Sequence, residues 1–364
     1  MFLEAQIITY NTCYVVKGSN LKRLFTRSCV AFFSALLFSI SVFADTGLVW
    51  GSTQRSTEWM YAGKVGLSSH YFAHTTGQVE RLANQLKIDE IANQAATAGA
   101  AWFLFPLYHQ PWIMMAPNEE FDRIIGHDEI TSTRDVPLEL SRALSKKGIR
   151  LMLYVNLRLD PQSKAPAQVR EAMGGWPPND KLVRNIAAVF REFSLRYGKS
   201  VSGWWVDGVQ LQSEWGKSPH REEWFKEIAD ALRVGNPEAL VAFNPGLRVV
   251  RYSQQNDYLA GESFDLRPAP AGRWIDGAQW HVWTYLGATW GSGGTRFTNE
   301  QLLDYGKQVA NNGGVMTFDV GMNGVLKSGH PGSVVTVPEN IGRIDPAQVA
   351  QIRFITQGLR ELTH

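Results

Sequence analysis

The sequence predicts a parallel α/β barrel of the (β/α)8 kind, and three observations carry that prediction. Short apolar runs alternate with amphipathic runs from about residue 64 onward. The apolar runs number eight, and polar residues able to do chemistry stand at their carboxyl ends. Alternation of this kind reads as parallel strands joined by crossover helices. Eight such units in roughly 300 residues favour a TIM barrel over an open doubly wound sheet.

The strand runs are KVGLSSHY (64–71), AWFLFPLY (101–108), RLMLYVNLR (150–158), GWWVDG (203–208), ALVAFNPG (239–246), DYLAGES (257–263), WHVWTYL (280–286) and VMTFDVG (315–321). Between them, Leu182, Ile186, Val189, Phe190, Phe193 and Tyr197 recur at helical spacing and stop at Gly198. Thr298 and Gln301 form a capping box for the helix that follows them. Asp345 and Pro346 open a last helix with an apolar stripe of Val349, Ile352, Ile355 and Leu359. Between the fifth and sixth runs, RVVRYSQQN is too short for a full helix. No GxGxxG follows the first run, and neither a Walker loop nor an internal repeat occurs. GSGG at 291–294 lacks the lysine of a phosphate loop and reads as a mobile active-site or surface loop.

The first 44 residues read as a leader. Lys22, Arg23 and Arg27 precede the apolar run 29–43, with Val42 and Ala44 where a signal peptidase would read. That run is short for a membrane span. Cleavage after Ala44 leaves one catalytic domain, 45–364, in a secreted or periplasmic protein that is off the membrane. Both cysteines, Cys13 and Cys29, fall in the leader, so the domain has no disulfide, thiol nucleophile or cysteine metal site. The domain holds 32 Lys/Arg against 33 Asp/Glu, a net charge of −1, and offers no basic excess for nucleic acid. Thirteen tryptophans is a heavy load for an exported protein. Most belong to the core, but aromatic faces also stack on flat apolar surfaces such as one face of a sugar ring.

In a (β/α)8 fold, chemistry sits at the carboxyl ends of the strands. Those ends carry His70, His109, Asn156, Arg158, Asp207, Asn244, Glu262, His281, Trp283 and Asp319. Asp207 shares strand parity with Gly203 and Trp205, so an inward Asp207 has Trp205 beneath it. Its carboxylate is either a nucleophile or a cap on the turn that Gly208 begins. Glu262 is the natural second carboxylate, since glycoside hydrolysis uses two; the other reading pairs it with Arg251 or Arg267. His70 and His109 suit metal ligation, acid catalysis, binding of sugar hydroxyls, or the core, and neither HExxH nor HxH spacing is present. Trp112, Trp283, Tyr285 and Trp290 are stacking candidates, and Asn244 and His281 are further candidates for substrate contact. Asp319 reads as a cap of its own loop, third among the carboxylates.

These segments resemble the catalytic domain of glycoside hydrolase family 29, the α-L-fucosidases, over roughly residues 56–362. EWMYAGKVGLSSHYF resembles the opening strand with its sugar-binding histidine, here His70. GWWVDG resembles the segment of the nucleophile, here Asp207, and DYLAGES that of the acid/base glutamate, here Glu262. GGVMTFDVGMNGVLKSG and IDPAQVAQIRFI resemble the last strand, loop and helix. The resemblance implies a retaining exo-glycosidase that needs no cofactor and cleaves a terminal deoxy- or galacto-configured sugar from an oligosaccharide or glycoconjugate. Two features depart from the family. Tyr108 and His109, followed by QPW, replace a tandem histidine pair, and the C-terminal β-sandwich of many members has no counterpart. Two other readings remain at this point: a metal-dependent hydrolase using His70, His109 and Asp207, and a carbohydrate-binding protein without turnover.

Overall fold

The computed structural model describes residues 55–70, 75–109, 112–127, 131–322 and 342–361. The expected leader (1–44), with both cysteines, lies outside the described residues, as does most of the loop after the last strand. In chain order the elements are α1 (Glu58–Gly63), β1 (Val65–Ser68), α2 (Thr76–Gln85), α3 (Ile88–Ala98), β2 (Trp102–Pro106), α4 (Glu119–Ile125), α5 (Val136–Ser145), β3 (Arg150–Asn156), α6 (Ala167–Met173), α7 (Asp180–Tyr197), β4 (Val201–Asp207), α8 (Glu214–Lys217), α9 (Arg221–Arg233) and β5 (Leu240–Phe243). A small antiparallel hairpin, β6 (Trp274–Ile275) and β7 (Ala278–Gln279), precedes β8 (His281–Tyr285), α10 (Asn299–Asn311), β9 (Val315–Asp319) and α11 (Pro346–Arg360).

Seven strands form one curled sheet in the order β5-β4-β3-β2-β1-β9-β8, with every neighbouring pair parallel. This α/β arrangement is consistent with a TIM-like barrel. Strand alternation divides the side chains between two cores. Trp204 and Val206 pack outward with the helices, whereas Trp205 joins Trp102, Met152, Tyr154, Tyr258 and Trp283 on the inner face.

The sixth run departs from the expectation of a regular strand. Segment 257–263 lies between the sheet's two edge strands, β5 and β8, but makes only isolated bridges, Tyr258 to Gln279 and Glu262 to Trp283. Its N–H groups reach both sides, Asp257 to Val241 O at 3.0 Å and Ser263 to Trp283 O at 2.8 Å. Side chains supply much of the pairing with β5. Asp257 Oδ2 accepts from Val241 N–H at 2.9 Å, and the Asn256 amide accepts from Phe243 N–H and donates to its C=O, both at 3.2 Å. Gly261 then takes φ +71, outside the strand region. The apolar pattern therefore located the segment, while side-chain pairing decided its form.

The helices follow their signals. In α7, Asn179 caps Leu182 N–H, the six predicted apolar positions are buried, and Gly198 follows the last turn. Both halves of the Thr298–Gln301 capping box form. Asp345 caps α11 through Ala347 N–H, and its stripe packs inward, with Ile352 and Ile355 fully buried. Removing either isoleucine side chain would cost about 2–5 kcal/mol. The 248–256 connection contains no helix.

The GSGG segment is anchored, contrary to the expectation of a mobile loop. Gly291 N–H donates to Asp319 Oδ2 at 2.5 Å and Gly294 N–H to Asp345 Oδ2 at 2.6 Å. Gln348 Nε2 donates to Ser292 O and Gly294 O at 2.9 and 2.6 Å. Small residues here permit close backbone approach, since a Cβ on Gly321 would lie 2.2 Å from Gly293 N.

Candidate active site

The site assembles where β1, β3, β4, β5, β8 and β9 end. Parallel register sets Asn156 beside Asp207 and Tyr154 beside Trp205. Inward parity then stacks Tyr154 on Trp205, with ring centroids 5.3 Å apart. Asp207 receives four side-chain donors: Tyr154 O–H at 2.6 Å and Asn156 Nδ2 at 3.1 Å on Oδ2, Gln210 Nε2 at 2.7 Å and Asn244 Nδ2 at 3.0 Å on Oδ1. The set suits an ionised carboxylate, which only accepts. Gly208 keeps the exit from β4 tight: its φ is +81, and a Cβ would lie 2.6 Å from Arg158 N. The turn-cap role proposed for Asp207 does not form among the described residues, because its partners are side chains rather than backbone N–H groups.

Glu262 comes to the same place from segment 257–263. The Asn244 nitrogen that donates to Asp207 also donates to Glu262 Oε2 at 2.8 Å. Two acceptors sharing one donor at these distances lie less than roughly 6 Å apart. Desolvation first, and then the charge of Asp207, push the Glu262 carboxyl up to about 7, against the opposing Asn244 hydrogen bond and the electrostatic influence of His70 and Arg267. The alternative in which Glu262 is neutralised by Arg251 or Arg267 does not form: Arg267 donates to the Glu262 backbone C=O and Arg251 to backbone carbonyls elsewhere. Burial and the Asp207 charge hold the Tyr154 phenol well above its ordinary range, so its O–H remains a donor.

The other half of the site is aromatic. His70 stacks on Trp283 at 5.0 Å and meets Trp290 at 5.3 Å, Tyr154 at 5.3 Å and His109 at 6.0 Å. His109 stacks on Tyr154 at 5.6 Å, and Trp290 lies 4.9 Å from Tyr285. Asp319 fixes this half. Its Oδ1 accepts from His70 N–H at 3.0 Å and Ser68 O–H at 2.8 Å, and lies 2.9 Å from His70 Nδ1, which places the proton on that ring nitrogen. Trp283 Nε1 donates to Ser68 Oγ at 2.6 Å, tying the buried Trp283 indole to the same carboxylate.

The structure thus brings His70, His109, Asp207, Asn244, Glu262, Trp283 and Trp290 together, and leaves two candidates out. His281 begins β8, two residues and roughly 6–7 Å deeper than Trp283. It is buried, with Nδ1 against Leu259 O and Ala260 O and Nε2 against Thr317 Oγ1, and burial lowers its pKa to about 4. Trp112 packs outside the sheet against Tyr108 and Phe121. Sequence reasoning missed Tyr154 and Gln210, assigned Asn156 no role, and took Asp319 for a loop cap. Inward parity in RLMLYVNLR pointed to Tyr154, but only the register between β3 and β4 shows what it touches.

Among the described residues, no group of three or more His, Cys, Asp or Glu is arranged to hold a metal ion, and no helix is long and apolar enough to cross a membrane. A cleft of about 510 Å³ opens from Asp207 between the segments that follow β3 and β4.

The fold is α/β, with a curled parallel sheet consistent with a TIM-like barrel and two neighbouring carboxylates, one at the end of β4 and one on segment 257–263. Its solved structural neighbours include endo-fucoidan hydrolases of glycoside hydrolase family 107 and α-L-fucosidases of family 29. One family 107 endo-fucoidan hydrolase aligns with a TM-score of 0.64 at 17% identity, over 85% of this chain and 54% of that one. A second aligns at 0.61 and 16%, over 83% and 92%. A family 29 α-L-fucosidase from Bacteroides thetaiotaomicron, trapped as a covalent intermediate with 2-fluoro-fucosyl fluoride, aligns at 0.58 and 14%, over 85% and 77%. This chain spans about half the length of the first of these relatives. At such identities the likeness is one of fold. No family model and no curated protein matches the sequence.

Proposed function

We propose that the protein is a retaining glycoside hydrolase that removes a terminal L-fucose, or a closely related deoxy- or galacto-configured sugar, from a glycan. The observation that carries this reading is the Asn244 amide donating to both Asp207 and Glu262. A shared donor keeps one oxygen of each carboxyl within roughly 6 Å of the other, which supports the closer spacing of retaining enzymes over the wider gap of inverting ones. The solved neighbours support fucose as the sugar. A closed (β/α)8 barrel, with segment 257–263 as its remaining strand, is part of the same proposal.

Asp207 attacks the anomeric carbon as the glycosidic C–O bond breaks, and Glu262, protonated near neutrality, gives its proton to the departing oxygen. Water then enters on the Glu262 side. Glu262 takes a proton from it as its oxygen bonds to the anomeric carbon, and Asp207 is released. His70, its Nδ1–H held by Asp319, accepts from a sugar hydroxyl through Nε2, His109 hydrogen-bonds another, and the half-buried Trp290 presents an apolar ring face, with Trp283 buried behind the His70 ring. Asn244, donating to both, holds the two carboxyls side by side.

Hydrolysis of a panel of aryl glycosides, with the first-formed anomer followed by NMR, tests the proposal. The wild type is expected to cleave the α-L-fucoside with retention. A first product of inverted configuration, or full activity in Asp207→Ala, overturns it. Export through residues 1–44 belongs to the same reading, and N-terminal sequencing of the protein recovered outside the cytoplasm checks for a start at Asp45.

A further inference from the structure

The cleft that opens from Asp207 is not used by the chemistry above. Gln210 belongs to both, lining the cleft while its amide donates to Asp207. On one wall the half-buried Trp176 presents an aromatic surface, and the loop carrying it is tied to the start of α7 by Asn179, whose amide donates to Gly174 O and Pro177 O at 3.0 Å. The exposed side-chain amides of Gln162 and Gln212 line the cleft and make no hydrogen bond to other described residues. Charge in the cleft is arranged differently. Arg158 and Asp160 close on each other at 2.5 Å, leaving Asp207 and Glu214 as the remaining charges in the lining, with Lys217 3.5 Å from Glu214 at the exposed rim.

An aromatic face beside uncharged amides is the chemistry that grips a sugar ring, through stacking on its C–H face and bonds to its hydroxyls. The lining also excludes one kind of sugar. Its single guanidinium is already paired and the surplus charge is negative, so a sulfate or carboxylate group entering here would meet repulsion with no unpaired cation to hold it. The volume, about 510 Å³, admits one or two monosaccharide units.

Resting on the glycosidase reading, we propose that this cleft is a subsite for neutral sugar residues linked to the one cleaved, so that the preferred substrate is an uncharged oligosaccharide rather than a sulfated glycan. The probes are L-fucose, an unsulfated α-L-fuco-tetrasaccharide and the same tetrasaccharide sulfated, each titrated calorimetrically at low ionic strength. In a Glu262→Gln background, which prevents turnover of the probes, the protein should bind the neutral tetrasaccharide about tenfold tighter than L-fucose, the scale of one stacked ring and a hydrogen bond. Trp176→Ala should abolish that gain while leaving L-fucose affinity unchanged. Gln212→Ala, an exposed change that leaves packing intact, should reduce the gain severalfold, which keeps the test valid if Trp176→Ala fails to fold.

Equal affinity for L-fucose and the tetrasaccharide, or no binding of either, overturns the proposal. Tighter binding of the sulfated form overturns the exclusion of charge. The Glu262→Gln background separates binding from turnover. A cleft that discriminates these ligands in a protein that hydrolyses no glycoside would leave the subsite standing and remove the glycosidase reading.

Discussion

Two aspartates end strands on the inner face of the sheet, and their surroundings differ in kind. Asp319 is fully buried, and two of its partners are backbone N–H groups, of His70 and Gly291, which belong to different loops. Asp207 is partly exposed, is held only by side chains, and borders a cleft. A carboxylate that satisfies backbone donors stitches the chain together and cannot leave them without cost. One held by amides and a phenol beside open space is fixed yet reachable. The donor type therefore separates a structural aspartate from a chemical one more clearly than burial alone.

The largest expected effect sharpens that contrast. Asp207→Ala should lower turnover by about 10⁴-fold or more, the scale for loss of a nucleophile, while its thermal unfolding stays close to wild type, since the change also relieves repulsion with Glu262. Asp319→Ala should do the reverse at the level of folding. It strands the His70 and Gly291 N–H groups and the Ser68 hydroxyl in a buried place, and should cost about 3 kcal/mol in a urea unfolding midpoint. Similar stability losses in the two variants would erase the distinction.

How much of this was legible beforehand follows from what periodicity can carry. The period-two pattern of GWWVDG placed Trp205 and Asp207 on one face, and the caps at Thr298 and Asp345 marked helix starts, because these signals are local. Asp207, Glu262 and Asn244 were legible as polar residues at run ends. The role of Asp319 was not, because the loop it pins, 291–294, lies 28 residues or fewer before it in sequence and meets it only through folding. His281 misled because it looks like a strand-end histidine, yet a strand's first residue points to the amino end. Trp112 misled because composition cannot tell a core tryptophan from a stacking one.

Glu262 tests the pair by pH. Its folded pKa, about 7, lies above the ordinary 4.5, so the native state binds the extra proton between those values. The stability associated with that proton is fully present below about pH 4.5 and is lost as pH rises through 7, by roughly 3 kcal/mol or slightly more. Glu262→Gln has no such proton to lose. It should match wild type near pH 5 and exceed it by about 2 kcal/mol at pH 8 in chemical denaturation, while cleavage of substrates with poor leaving groups collapses. A variant with the same pH slope as wild type would show that Glu262 is not the group under strain.

The smallest expected effect concerns Tyr154, which touches both halves of the site. Its ring stacks on Trp205 and His109, and its hydroxyl donates to Asp207 at 2.6 Å. Tyr154→Phe keeps the stack and deletes one donor of four, so folding should change little. The Asp207 charge loses one stabilising bond, and the charge matters most before attack, when it is undiluted by bonding to the sugar. Weaker solvation leaves the carboxylate more nucleophilic, but it also frees Oδ2 to rotate out of line. Orientation should dominate, because Asn156 at 3.1 Å is then the only remaining donor on that oxygen among the described residues. The expected result is about a tenfold fall in kcat with KM nearly unchanged. A rise in kcat would mean that the amides of Asn156, Gln210 and Asn244 hold Asp207 in place by themselves, and that the phenol only quiets its charge.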